Sequence, residues 1–140
     1  MHALRLLHKR LTEALPGMHR RRLESLLASV SGLLRGRRLW LSELGRSLPG
    51  RAKEKHKIKR VDRLLGNRQL HQERLALYRW MSRLVVNGCR HPCILVDWSE
   101  VDTCKQLFML RAAVSVGGRA LPLYEEVHTR LHHAADTRAF

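Results

Sequence analysis

The hydrophobic pattern of this chain changes period once, near Pro92, and that change limits the folds open to it. Upstream, apolar residues recur every three or four positions, as on one face of a helix; downstream they cluster into β-branched runs broken by glycine. Leu4, Leu7, Leu11 and Leu15 mark a first amphipathic helix, stopped by Pro16-Gly17. Leu23, Leu26, Leu27, Val30, Leu33 and Leu34 mark a second. Leu41, Leu44 and Leu48 mark a short third, broken by Pro49-Gly50. Ile58, Val61 and Leu65 mark a fourth, with Gly66-Asn67 as a left-handed terminator. Leu77, Tyr78, Met81, Leu84 and Val85 mark a fifth, ending at Asn87-Gly88.

Beyond Pro92 the segment "CILVDW" is short, apolar and rich in β-branched residues, the signature of a buried strand. "LFMLRAAVSV" and "RALPLYEEVH" read as two further strands. Gly117-Gly118 between them predicts a two-residue hairpin, because both central positions of a type I′ turn need positive φ. Pro122 cannot donate to a ladder, so the second arm is expected at a sheet edge. The pattern therefore predicts an α+β chain: a helical part over residues 1–88, then a sheet over 89–140.

Charge narrows the function. There are 27 Lys and Arg against 12 Asp and Glu, a formal net charge of +15. Such a chain repels itself unless an anionic partner is present, and nucleic acid is the commonest one. A membrane surface is the rival, but lipid-bound basic chains offer one long helix with an aromatic, apolar face. No apolar run reaches the roughly 18 residues of a spanning helix, and the N-terminus lacks the uninterrupted apolar core of a secretory signal. Three cysteines, Cys89, Cys93 and Cys104, suit a reducing cytoplasm. "CRHPC", with His128, His132 and His133 downstream, lacks the second closely spaced pair of a zinc site, so the thiols are read as unpaired. Trp40, Trp80 and Trp98 are scattered and expected in the core, which leaves no stacking platform for single-stranded RNA.

The densest positive charge lies in "AKEKHKIKRVDRLLGN". On a helical wheel Glu54, Ile58, Val61 and Leu65 gather on one side. Lys53, His56, Lys59, Arg60 and Arg63 gather on the other, flanked by Lys55 and Lys57. Preceded by the short helix "WLSELGRSL" and a Pro-Gly turn, this has the layout of a helix-turn-helix reader. Cations on one face can touch successive phosphates of double-stranded DNA, and five to seven such contacts imply a slope of about −5 to −6 in log K against log salt. These seven residues are the candidate DNA-binding set.

One acid stands out against this background: Asp97, at the end of the apolar run in "ILVDWSE". It can cap backbone N–H groups in a turn, or serve as a carboxylate ligand for Mg²⁺ in phosphoryl transfer. Two-metal chemistry needs several oxygen ligands, so Asp97 alone is not sufficient for it. Taken in order, "IKRVDRLLGN", "ILVDWSE" and "LFMLRAAVSVGGRALPLYEEVH" resemble bacterial insertion-sequence transposases of the DDE class. The closest branch carries a Tyr-Arg-Glu-Lys signature around its third acid. The resemblance covers roughly residues 18 to 128. It implies an RNase H-like sheet of which this chain holds the first three strands, with Asp97 as the first catalytic and Mg²⁺-binding acid. It also implies a helical DNA-binding region that engages transposon ends, a Mg²⁺-dependent cutting and joining reaction, and a place in the bacterial cytoplasm with the nucleoid.

The second Asp and the Glu of that family have no counterpart in context here. Asp102, Glu125, Glu126 and Asp136 are the only later acids besides Glu100, and Glu125 and Glu126, adjacent on a strand, are expected on opposite faces. The chain is thus expected to be an N-terminal transposase portion that is inactive alone and holds no Mg²⁺ stably. Its first strand should be unpaired on one side, which leaves Ile94, Leu95 and Val96 open to self-association or to pairing with intact transposase. The alternative is a stand-alone DNA-binding repressor of transposition without catalysis.

Overall fold

The computed structural model describes residues 2–36 and 38–129. Five helices precede three strands: α1 (His2–Ala14), α2 (Arg20–Arg35), α3 (Leu41–Ser47), α4 (Glu54–Leu65), α5 (Arg68–Val86), β1 (Ile94–Asp102), β2 (Leu107–Val116) and β3 (Arg119–Thr129). The mixed α+β class matches the two hydrophobic periods. Two compact units form, Met1–Leu77 and Tyr78–Phe140, so the division falls within α5, eleven residues before the expected boundary at 88. His132, His133, Asp136 and Phe140 lie outside the described residues.

In the first unit α2, α3 and α4 pack around Leu44, Leu48 and Val61, with Ala28 against them. Leu11, Leu23, Leu27 and Leu64 are also buried. Two expectations about the helical faces are corrected. Leu33 and Leu34 do not face the core; Leu34 is 75% exposed, while Ser29, Ser31 and Gly32 of α2 are buried. The reason is steric: α3 comes close to α2 over the small residues, and two leucines there would hold it away. On α4 the buried position at the end of the stripe is Leu64, 7% exposed, rather than Leu65, 56% exposed. Both spacings from Val61 satisfy a helical period, and the choice between them is tertiary.

The tightest contact is between α3 and α4. A Cβ placed on Gly45 would lie 2.6 Å from Cα of Ile58 and 2.6 Å from its Cγ1, so the two helices touch through backbone. The polar closure of the same junction comes from Arg46, whose Nε donates to Glu54 at 2.6 Å, and from Lys57, whose Nζ donates to the Leu48 carbonyl at 2.9 Å. The Glu54 carboxylate raises the Arg46 guanidinium further above its ordinary pKa, through the hydrogen bond first and charge second.

Two ends differ from expectation. Gly66 has φ −82°, so α4 does not close through a left-handed residue. Asn67 instead starts α5, its Oδ1 accepting from the Leu70 N–H at 2.9 Å, as an N-cap side chain does. The Arg22 guanidinium joins α2 to α5 by donating to both oxygens of Glu73 at 2.7 and 2.6 Å. With side chains only 15% and 21% exposed, this forked pair is far less screened than a surface ion pair.

In the second unit the strands form an antiparallel sheet in the order β1-β2-β3. Gly117 and Gly118 take φ of 56° and 74°, the two positive values a type I′ hairpin requires, and Val116 pairs with Arg119 across it. Pro122 sits on the edge strand β3, beside a register shift between Ala112 and Ala113 that leaves Leu123 as the extra residue of a bulge. Leu123, Ala113 and Val114 are the buried side chains of the sheet. Within this unit the end of α5 meets the sheet: the Tyr78 and Tyr124 rings lie 5.1 Å apart edge to face, and Ser82 Oγ donates to the Leu123 carbonyl.

β1 departs from a buried strand ending at Asp97. It continues to Asp102, because Trp98, Ser99, Glu100 and Asp102 pair with β2 around the turn 103–106. It is also an edge strand, which exposes Ile94, Leu95 and Val96 as their missing neighbours on one side led us to expect.

Replacing Gly45 with alanine should destabilise the first unit by about 1–3 kcal/mol, the range for overpacking a closed contact. Gly17→Ala, where a Cβ meets nothing within 4 Å, is the control and should be near neutral. Urea melts followed by circular dichroism measure both; equal midpoints for the two variants would contradict the close packing.

Candidate nucleic-acid interface

Helix α4 divides its side chains cleanly. Val61 packs in the three-helix core, Leu64 is buried one turn on, and Ile58 and Lys57 are half-buried. Lys55, His56, Lys59, Arg60 and Arg63 are exposed, as is Lys53 immediately before the helix. Of the seven candidate DNA-binding residues, Lys57 is the one turned inward, its amine held by the Leu48 carbonyl. No internal ion pair neutralises Lys53, Lys55, Lys59, Arg60 or Arg63 among the described residues. The link between α3 and α4 spans residues 48–53, longer than the roughly three- to four-residue turn of a helix-turn-helix.

α4 does not present its cations alone. Between it and the start of α2 lies an open cleft of about 420 Å³. His56, Lys59, Arg60 and Arg63 line it from α4, and His19, Arg21, Arg22 and Ser25 from the other side. His19 precedes α2 and caps it, Nδ1 accepting from the Arg21 N–H at 3.2 Å. Arg60 crosses toward α2, where its Nε donates to Ser25 Oγ at 3.1 Å, which leaves its two terminal nitrogens for another acceptor. Sequence reasoning missed His19 and Arg21. They lie some forty residues from α4 in the chain, and the basic run "HRRRLE" was the only local signal for them.

Asp97 is in a different setting. It is mid-strand on β1, exposed, and accepts from Ser99 Oγ at 3.2 Å. Cross-strand pairing places it in one row with Arg111 of β2 and Glu125 of β3. Residues paired in this way share a face, so a second carboxylate lies two strands away, about 10 Å at ordinary strand spacing. The Arg111 guanidinium between them donates to Glu125 at 2.6 Å. Glu126 projects from the other face, where Tyr124 donates to it at 2.6 Å and the His128 ring nitrogen lies 3.6 Å away. The neighbouring glutamates therefore do face opposite sides.

This donor set does not fit Mg²⁺. One exposed carboxylate is present, and the next side chain along its row is a cation that already pairs the other carboxylate. Among the described residues no group of three His, Cys, Asp or Glu side chains could hold a metal ion. The cysteine thiols are free: Cys89 is half-buried, Cys93 and Cys104 exposed. Trp40 is not a core residue; it is 64% exposed, with the Arg38 guanidinium 5.0 Å above its ring. The cation replaces core packing as the partner for that ring face. No helix is long and apolar enough to cross a membrane among the described residues.

Comparison with known protein families, with characterised proteins and with solved structures finds no match to this chain.

Thermal melts of the chain with and without millimolar Mg²⁺ should superimpose, because a ligand that binds the native state raises its stability and this site offers too few oxygens to bind one. A Mg²⁺-dependent rise in Tm that Asp97→Asn abolishes would reverse that conclusion.

Proposed function

We propose that the chain is a DNA-binding protein whose helical unit engages double-stranded DNA through Lys53, Lys55, Lys59, Arg60 and Arg63, with His56 beside them. The observation that carries this reading is the set of unneutralised cations on one side of α4 in a chain of net charge +15. Phosphate is the chemistry such a set takes, and Glu24, Glu54 and Glu73 are already paired with Arg20, Arg46 and Arg22 instead of with these cations. Lys57 is left out of the set because its amine has a structural partner.

The finer reading is that this is the leading part of a DDE-class insertion-sequence transposase, acting on transposon ends in the bacterial cytoplasm. It is supported by the three sequence blocks and by an antiparallel sheet in sequence order, with Asp97 of "ILVDWSE" on its first strand. In that reading Asp97 is the first of three metal-binding acids, and the other two must join it before Mg²⁺ can be held. The Asp97–Arg111–Glu125 row favours a second outcome for the chain by itself: occupancy of DNA without cutting it, as a repressor of an intact transposase does.

Binding to duplex DNA, followed by fluorescence anisotropy across a salt series, tests the first claim. Five phosphate contacts predict a slope of about −4 to −5 in log K against log salt. Lys59→Ala and Arg63→Ala should each make the slope shallower by about 0.9. An affinity independent of salt would remove the DNA reading. Incubation with supercoiled DNA and Mg²⁺ or Mn²⁺ tests the second claim: the chain alone should leave the DNA intact, and nicking lost on Asp97→Asn would show that it is catalytically complete.

A further inference from the structure

We propose that the cleft between α2 and α4 grips the sugar-phosphate backbone of one DNA strand from both sides, with Arg21 of α2 opposing Lys59, Arg60 and Arg63 of α4. The inference rests on the DNA-binding reading and changes what α4 does in it. On a helix laid in the major groove by itself, the cations reach bases and phosphates alike. As one wall of a cleft they face a single strand's phosphates, and the opposite wall supplies a contact of its own.

Three features of the cleft argue for this. First, its lining contains no carboxylate, although the unit has several. Glu24 is paired with Arg20, Glu54 with Arg46 and Glu73 with Arg22, and Asp62 of α4 is not among the residues that line the cleft. Four cations thus converge from two helices without internal compensation, an arrangement that repels itself until an anion enters. Second, two of the lining groups are fixed. Arg22 is held by both oxygens of Glu73 and lines the cleft without offering a spare charge. Arg60, which also lines the cleft, is anchored through Nε to Ser25, so its guanidinium is held across from α4. Third, the cleft is open to solvent rather than an enclosed pocket, which suits a continuous polymer more than a small free anion. A polymer whose charges repeat at every residue of its backbone is what four aligned cations can answer, because each neutralised phosphate releases counterions.

The clamp also bears on specificity. Contacts to phosphate carry no sequence information, so binding through the cleft is expected to be nearly uniform across DNA sequences. Any base reading falls to groups beyond the cleft, such as Lys53 and Lys55.

Arg21 is exposed and its side chain makes no hydrogen bond or ion pair among the described residues, so Arg21→Ala should leave the fold intact. The test is fluorescence anisotropy with two short duplexes of unrelated sequence, in a salt series, on the full chain. Arg21→Ala should weaken binding about fivefold to tenfold near physiological salt, equally for both duplexes, and flatten the salt slope by about 0.9. Arg79→Ala removes an equal charge from an exposed position of α5 outside the cleft and should leave the slope unchanged. If Lys59→Ala flattens the slope and Arg21→Ala does not, DNA binding stands and the clamp is wrong. If Arg21→Ala and Arg79→Ala act alike, net charge alone explains the effect and the clamp is again wrong. If no substitution on either helix changes the slope, the DNA-binding reading fails with it.

Discussion

Helices α3 and α4 meet where residue 45 has no side chain, and the rest of the helical unit is arranged around that meeting. Backbone contact at Ile58 brings the two axes to the short end of helix packing distances. Val61 and Leu64 then reach the core formed with α2, and Lys57 reaches the Leu48 carbonyl. Once those three positions are committed, helical geometry leaves Lys55, Lys59, Arg60 and Arg63 no direction but outward or toward α2. The basic surface is therefore a consequence of one steric allowance and not of the charge run by itself. A larger residue at 45 would collide with Ile58 and force α3 and α4 apart.

The second unit depends on a weaker principle. Its three strands enclose little: Ala113, Val114 and Leu123 are buried, while much of β1 is exposed. The end of α5 covers part of one face through Tyr78 and Ser82. Asp97 and Glu125 share a face with Arg111, and in this arrangement the guanidinium does for one of the carboxylates what a cation ligand would do elsewhere. Any larger site built around Asp97 has to displace or reuse that arginine.

Much of this was legible in the sequence, and the failures have a common cause. Helices appeared where the three-to-four spacing of leucines placed them. The Gly117-Gly118 hairpin and the edge position of Pro122 followed from backbone chemistry that neighbours do not alter. What could not be read was which of two equally periodic residues turned inward, as with Leu64 and Leu65, or that small residues in α2 mark the close contact instead of Leu33 and Leu34. Lys57 looked like its neighbours until the Leu48 carbonyl gave it a partner. Arg21 comes to line the cleft only through the packing of α2 on α4, which no local pattern encodes. Trp40 was misjudged because an aromatic ring can be satisfied by a cation at the surface as well as by a core.

The two edges of the sheet are not equivalent. β3 carries a proline and a bulge within its paired length, so an incoming strand would find neither a full set of donors nor a regular repeat. β1 keeps an unbroken register with β2 from Ile94 to Glu100 and offers its other side along the same stretch. Extension of the sheet is thus directional: a further strand, from whatever source, can be templated at β1 while β3 terminates the array. Asp97 lies within that templating stretch, so whatever completes the sheet there also decides the surroundings of its carboxylate.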